Sequence, residues 1–268
     1  MRYAIVDGQR REAARGLEGT CPGCGDPLQP RCGEVRVHHW AHRGTRHCDH
    51  WWEPETPWHR AWKDAFPADW QEVRQQATNG EWHIADVKSP HRGVLEFQHS
   101  HISLDERRSR EWFYGRMVWV VDGLRLKRDL PAFEEALQSR HAASSRPILY
   151  DVPIVGNHLL ARWLDSHVSV FFDFGDHDWG NLSKRAREPI VWWFRGERSH
   201  SHARLVPVRV SSLIGHYRDA EESLKLLAIP AAPRPRAKLT SPPSPQGRSR
   251  QADWRTRYRA WNGIGRRL

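Results

Sequence analysis

The feature that most constrains the fold of this chain is the order of patterned segments between residues 56 and 122. Thr56-Pro57 is a helix start, since Thr caps well and Pro suits the first helical position; WHRAWKDAF follows with apolar residues at helical spacing, predicting a helix over 57–66. Next come WQEVRQQ, Asn79-Gly80 and EWHIADVKS, the pattern of a strand, a tight hairpin turn and a second strand. GVLEFQHS predicts a third strand beyond the loop SPHRG. LDERRSREWFYGRM favours a charged helix, and MVWVVDG is the short apolar run of a buried strand. The succession is helix, three strands, helix, strand, which places the chain in the α/β class.

What flanks this stretch differs from it. Residues 1–50 open with a strand pair, 2–6 and 11–14, turned at Asp7-Gly8, and continue in a segment dense in Cys, His, Gly and Pro, which cannot build its own core and calls for a metal. Beyond a helix over 131–140, the runs HVSVFFDFGD, IVWWFRGE and HARLVPVRV and a helical segment over 211–228 suggest a small β-rich unit. The expected organisation is a Cys/His module at 1–50, a core at 51–140, a β-rich C-terminal unit at 141–228 and a basic disordered linker and tail at 229–268.

Net charge is +10, and ten Lys/Arg against one Asp between Pro230 and Leu268 account for nine of those charges. A nearly neutral body with a detachable basic arm points to a local site for a polyanion, DNA, rather than to a scaffold that coats phosphate; the tail would also suit recombination or defence protein partners. Its Pro, Ser, Arg and Ala content buries too little apolar surface to stay ordered. The fifteen tryptophans read first as packing residues. No apolar run reaches the length of a membrane span, and the first residues lack the apolar stretch of a secretory signal, so the expected location is the cytoplasm.

Phosphodiester hydrolysis requires a hard divalent cation, and carboxylates are its natural ligands. Asp86 lies near the end of one predicted strand and Glu96 in the next. Glu96 and Gln98, two apart, share a strand face, and a hairpin symmetric about His91 makes Asp86 and Glu96 cross-strand neighbours. Both acids are flanked by apolar residues, where an unpaired carboxylate is costly. They are the predicted ligands of Mg²⁺ or Mn²⁺. His83, His99 and His101 flank this site and are candidates to contact phosphate or act as a general acid, against the plainer reading of solvated strand positions.

Cys21-Pro-Gly-Cys24 followed by His39-Trp-Ala-His42 offers two thiolates and two imidazoles, a set suited to tetrahedral Zn²⁺. Cys32, His38, His47, Cys48 and His50 compete for the same role. A site closed by four protein ligands would be structural.

Read together, CPGC, HWAH, WHRAWK, ADV, EFQHSHIS, the R-E-W-F-Y run and VWVVD resemble the competence protein CoiA-like family, strongly over residues 2–122. Its nuclease core is similar to restriction endonucleases of the PD-(D/E)xK type, an αβββαβ arrangement. The resemblance implies a metal-dependent deoxyribonuclease with Asp86 as first metal acid and Glu96 as second, with Gln98 standing where related nucleases carry Lys. It also implies roles for His59 and Lys63, one helical turn apart; Arg110 and Tyr114 share the same i, i+4 relation. The family often has Glu before the WH pair where this chain has Pro57, so an acid supplied by the helix start is in question. A neutral Gln can only position by hydrogen bonds, leaving Lys63 or Lys88 to supply the missing charge. A rival alignment takes Glu72 as first acid and Asp86-Val-Lys88 as the following element. Two other readings stand beside the nuclease: a catalytically silent DNA-binding recombination accessory protein of the same fold, and a zinc hydrolase using the N-terminal cluster.

Overall fold

The computed structural model describes residues 1–44, 48–51, 53, 55–138, 141–145, 148–195 and 201–227, and among them it is a mixed α/β protein with two sheets and six α-helices. Asp7 and Gly8 both take positive φ, 50° and 75°, the backbone of a two-residue hairpin turn. Strand β1 (Tyr3–Val6) therefore returns at once as β2 (Gln9–Glu12), two residues earlier than predicted. With β3 (Gly19–Thr20), β4 (Pro27–Arg31) and β5 (His39–His42) they form an antiparallel sheet in the order β2-β1-β3-β4-β5. Its core is small, with Leu28 and Trp40 its largest members beside Cys21.

The predicted succession then follows. Helix α1 (Pro57–Asp64) is capped by Thr56, whose hydroxyl accepts the N–H of His59 at 3.2 Å. A 3₁₀ turn at Ala68–Trp70 leads into β6 (Gln71–Gln76), β7 (Trp82–Ser89) and β8 (Gly93–Gln98). Helix α2 (Leu104–Tyr114), capped by Ser103, crosses to β9 (Met117–Asp122), which lies parallel to β8 as a helical crossover permits. Trp62 and Phe66 of the α1 region cover Val87, Leu95 and Phe97.

The remaining elements are α3 (Asp129–Gln138), β10 (His141–Ser145), β11 (Ile148–Pro153), α4 (His158–Trp163), β12 (Ser169–Asp173), α5 (Asn181–Ala186), β13 (Ile190–Arg195), β14 (His202–Arg209) and α6 (Val210–Arg218). They correct the expected partition. β12 pairs parallel with β9, from Ser169 opposite Val118 to Asp173 opposite Asp122, so one nine-stranded sheet runs β10-β11-β14-β13-β12-β9-β8-β7-β6. A boundary at 140 does not divide it, because β9, apolar and buried on both faces, takes a neighbour along each edge. Helix α6 ends at Arg218 instead of running to 228, and Leu226 bridges Val208. Trp119, Trp163 and Trp192 are fully buried, each side chain contributing about 2–3 kcal/mol of burial; for these the packing reading holds. Residues 1–229 form one compact unit. The predicted basic tail lies outside the described residues, and among those described no helix is long and apolar enough to cross a membrane.

Candidate functional site

Three neighbouring strands carry acids in one row. The register that sets Gln71 opposite Val87 and Val73 opposite Ala85 places Glu72 opposite Asp86. The next, with Val87 opposite Leu95 and Ser89 opposite Gly93, is symmetric about His91 as predicted and places Asp86 opposite Glu96. At this row the ladders lose their backbone pairs and side chains replace them: Asp86 N–H donates to Glu96 Oε1 (3.1 Å), and Phe97 N–H to Asp86 Oδ2 (3.0 Å). Glu72 has a φ of 47°, the left-handed region that costs a residue with a Cβ about 1–2 kcal/mol. Its carboxylate offsets that strain by accepting the backbone N–H groups of Arg2 (2.7 Å) and Tyr3 (3.0 Å), which ties β1 to the large sheet.

At this break lies a cavity of about 310 Å³ lined by Glu72, Asp86 and Glu96, by His59 and Lys63 of α1, by Arg110 of α2, and by Glu53 and Glu55 from the segment before α1. Lys63 is its hub, with Nζ 3.1 Å from Glu72, 3.2 Å from Glu55 and 3.6 Å from Asp86. The Asp86 side chain is 25% exposed while those of Glu72, Glu96 and Glu55 are 5% or less, so Asp86 is the acid that meets solvent. His59 holds Thr56 Oγ1 through Nδ1 (3.0 Å), and its Nε2 stands 3.9 Å from Glu53. The i, i+4 pairing of His59 and Lys63 thus places both in the cavity wall.

Glu53 and Glu55 went unpredicted, since they precede the helix in a stretch without periodicity. Glu55 answers the question raised by Pro57: an acid does reach the cavity from just ahead of α1, paired with Lys63 and with Arg60 (2.8 Å). Gln98 is placed differently from expectation. It is buried but does not line the acid cavity; its Nε2 donates to Glu53 Oε1 and to Ser100 O (3.2 Å), and Ser100 N–H donates to Glu53 Oε2 (3.2 Å). Gln98 therefore reaches the acids through Glu53, because the chain bends away after β8 and brings Ser100 round to the same carboxylate.

The charges follow from burial and neighbours. Burial disfavours the Lys63 ammonium, but Glu72, Asp86 and Glu55 outweigh it and raise its pKa. Burial raises Glu72, whereas Lys63 and the N–H groups of Arg2 and Tyr3 pull it down to about 2. Glu96 goes the other way: burial first and Asp86 second push it up to about 8, against Arg110 at 3.0 Å. Burial lowers the pKa of His59, against Asp86 and Glu53. Two hard carboxylates facing each other, one open to solvent, suit a divalent cation that relieves their repulsion. Among the described residues, the groups of three or more His, Cys, Asp or Glu donor atoms within 4.8 Å of one another are two, and neither includes Asp86 or Glu96.

The secondary candidates divide. Arg110 is in the cavity wall; Tyr114, one turn on, packs half-buried against Trp51, and burial together with Glu96 raises its pKa. Lys88 does not line the cavity, and its pKa is lowered by burial and Arg116; the rival alignment thus keeps Glu72 and Asp86 and loses its lysine. His101 is exposed and outside the cavity. His83 is buried between Asp49 (2.8 Å) and Glu81 (3.1 Å) and stacks on Trp51.

The second centre is a cluster of Cys21, Cys24, His42 and Cys48, whose donor atoms lie within 4.8 Å of one another and can hold a metal such as zinc. Cys21 Sγ is 3.6 Å from Cys48 Sγ and Cys24 Sγ 3.3 Å from His42 Nε2, close to the separations of about 3.5–3.8 Å that tetrahedral Zn²⁺ imposes on its ligands. The mutual hydrogen bond of the two thiols lowers the pKa of Cys21 and raises that of Cys48, so one thiolate forms readily beside the other thiol. This corrects the expected ligand set. His39 and His42 lie three apart on a strand, so they face opposite sides; His39 Nδ1 faces Val37 O at 2.9 Å, and Cys48 takes its place. Of the competitors, Cys32 and His38 are outside the cluster, and His47 lies outside the described residues. His50 joins Asp49 and His83 in a second group; Asp49 also accepts N–H from Trp51 (3.0 Å) and Ile84 (2.8 Å), fastening the residue after Cys48 to β7. A metal held by all four donors would have a closed, structural site without room for a catalytic water, which would disfavour the zinc-hydrolase reading.

Residues 7–50 match the family model for the N-terminal domain of competence protein CoiA. That segment contains all four donors of the cysteine centre and stops before α1, so the match supports the CoiA-like resemblance over this module and does not reach Asp86 or Glu96. No curated protein and no solved structure matches the chain.

Proposed function

We propose that the acid cavity is a divalent-metal site for hydrolysis of DNA phosphodiesters, in a core of the PD-(D/E)xK, restriction endonuclease-like kind, with a role in competence or other DNA processing. The observation that carries this reading is the row of Glu72, Asp86 and Glu96 where three strands part, with Asp86 partly open to solvent and Glu96 raised to about 8 by burial and by Asp86. The order α1-β6-β7-β8-α2-β9 supports the superfamily, and the CoiA N-terminal match supports the competence link. Asp86 and Glu96 would hold Mg²⁺ or Mn²⁺, which supplies charge neutralisation at the phosphate and acidifies the attacking water. Lys63 keeps Glu72 and Glu55 neutralised beside Asp86 and supplies the positive charge that Gln98 lacks. Arg110 fixes Glu96, and Gln98 fixes Glu53 against the strand end.

Labelled single- and double-stranded oligonucleotides incubated with zinc-loaded protein test the reading. Cleavage is expected with Mg²⁺ or Mn²⁺ and not without, and Asp86→Ala and Glu96→Ala should each lose it. Variants that cut as well as the parent would refute it. A silent DNA-binding accessory role is favoured by one observation, that Gln98 turns to Glu53 rather than into the cavity; metal-independent DNA binding without turnover would select it.

A further inference from the structure

His99, Asp122 and Asp173 stand at the carboxyl ends of the parallel strands β8, β9 and β12, the edge at which open α/β sheets collect their ligands. His99 Nδ1 is 2.6 Å from Asp122 Oδ2, and Asp122 Oδ1 accepts the N–H of Leu124 at 2.8 Å, so the carboxylate is pinned from both sides. Asp173 is engaged elsewhere, by the indoles of Trp58 (2.9 Å) and Trp62 (2.8 Å) and by Gly175 N–H (2.9 Å). The His99 side chain is 35% exposed and that of Asp122 9%. Its ring stands 6.0 Å from that of His59, which lines the acid cavity.

A histidine whose Nδ1 is oriented by a buried carboxylate, and whose side chain is partly open to solvent next to a residue of the cavity wall, is built to carry a proton. His59 is not: it is 4% exposed and its Nδ1 is held by the Thr56 hydroxyl instead of a carboxylate. We propose that His99 is the general acid of the phosphodiester cleavage and that Asp122 is its positioning residue, an inference that rests on the nuclease reading above. Water oxygen bonds to phosphorus as the bond to the leaving sugar oxygen breaks; the electron pair stays on that oxygen, which takes the proton from His99 Nε2. The proton released by the attacking water passes to solvent, and the imidazole is reprotonated from it.

The test compares two substrates with Mg²⁺ present: a labelled oligonucleotide, whose leaving alkoxide needs a proton, and thymidine 5′-(4-nitrophenyl phosphate), whose nitrophenolate leaves without one. His99→Ala and His99→Gln, checked by urea unfolding to be as stable as the parent, should lose about 10²–10⁴-fold in kcat on the oligonucleotide, the usual share of general acid catalysis. The loss on the nitrophenyl ester should be at least ten-fold smaller, and Asp122→Asn should show the same asymmetry to a lesser degree. Equal losses on both substrates, or full cleavage of DNA by the His99 variants, would overturn the assignment while leaving the nuclease reading intact. A parent protein that cleaves neither substrate removes the nuclease reading and this inference with it.

Discussion

Substituting Glu96→Gln keeps the shape of the side chain and removes its charge. In the folded protein the carboxyl of Glu96 is raised from its ordinary value of 4.5 to about 8, so between those values the folded state binds a proton that the unfolded chain has released. Stability therefore falls as pH rises through this window. The linkage relation puts the cost of the ionisable group at about 1 kcal/mol at pH 5 and about 4 kcal/mol at pH 8. The Gln variant, which resembles the protonated acid and leaves Arg110 its bonds to Glu106 and Trp51 O, should exceed the parent by only about 1 kcal/mol at pH 5. Its advantage should grow to about 4 kcal/mol at pH 8. Urea unfolding of zinc-loaded protein in magnesium-free buffer at pH 5, 6.5 and 8 measures this directly. Added Mg²⁺ should then restore stability to the parent at pH 8 and do nothing for the variant. Two proteins whose stabilities run parallel across this range would show that Glu96 ionises at its ordinary pH in the fold, and the electrostatic argument for a cation at this row would fail.

Lys63→Met leaves Glu55, Glu72 and Asp86 without their shared counter-charge; it should destabilise the protein by about 3–5 kcal/mol in urea unfolding at pH 7, less at acid pH, and an unchanged midpoint would refute the hub. Cys48→Ser should lose bound zinc and His39→Ala should retain it, read as metal released per chain on thiol modification; the opposite result would restore the HxxH ligand set. Thr56→Ala, which removes the α1 cap, should cost about 1 kcal/mol in the same unfolding assay.

Local chemistry explains what was readable without coordinates. The Asp7-Gly8 turn, the Thr56-Pro57 helix start and the β7–β8 register about His91 each depend on residues within a few positions of one another, and the last of them sets Asp86 opposite Glu96. The misses are of another kind. Placing HxxH on a strand rather than a helix changes which side His39 faces, and nothing in the four residues themselves decides between the two. Glu53 and Glu55 sit in a segment with no period to read, and Gln98 was assigned by strand parity although its partner Glu53 lies 45 residues away. The pairing of β12 with β9 joins segments about 50 residues apart, and such parallel contacts leave no trace in either segment beyond their being apolar. Glu72 belongs with the misses: its place opposite Asp86 turns on a one-residue choice of register at the Asn79-Gly80 turn, and its left-handed backbone depends on the contacts with Arg2 and Tyr3.

Everything proposed for the acid row depends on a divalent cation binding between Asp86 and Glu96. Crystals of the zinc-loaded protein soaked in MnCl₂ near pH 8 and measured at the manganese edge test this most directly. An anomalous peak within coordination distance of both carboxylates, lost in Asp86→Asn, is the result expected; occupied manganese sites elsewhere with none at this row would contradict it.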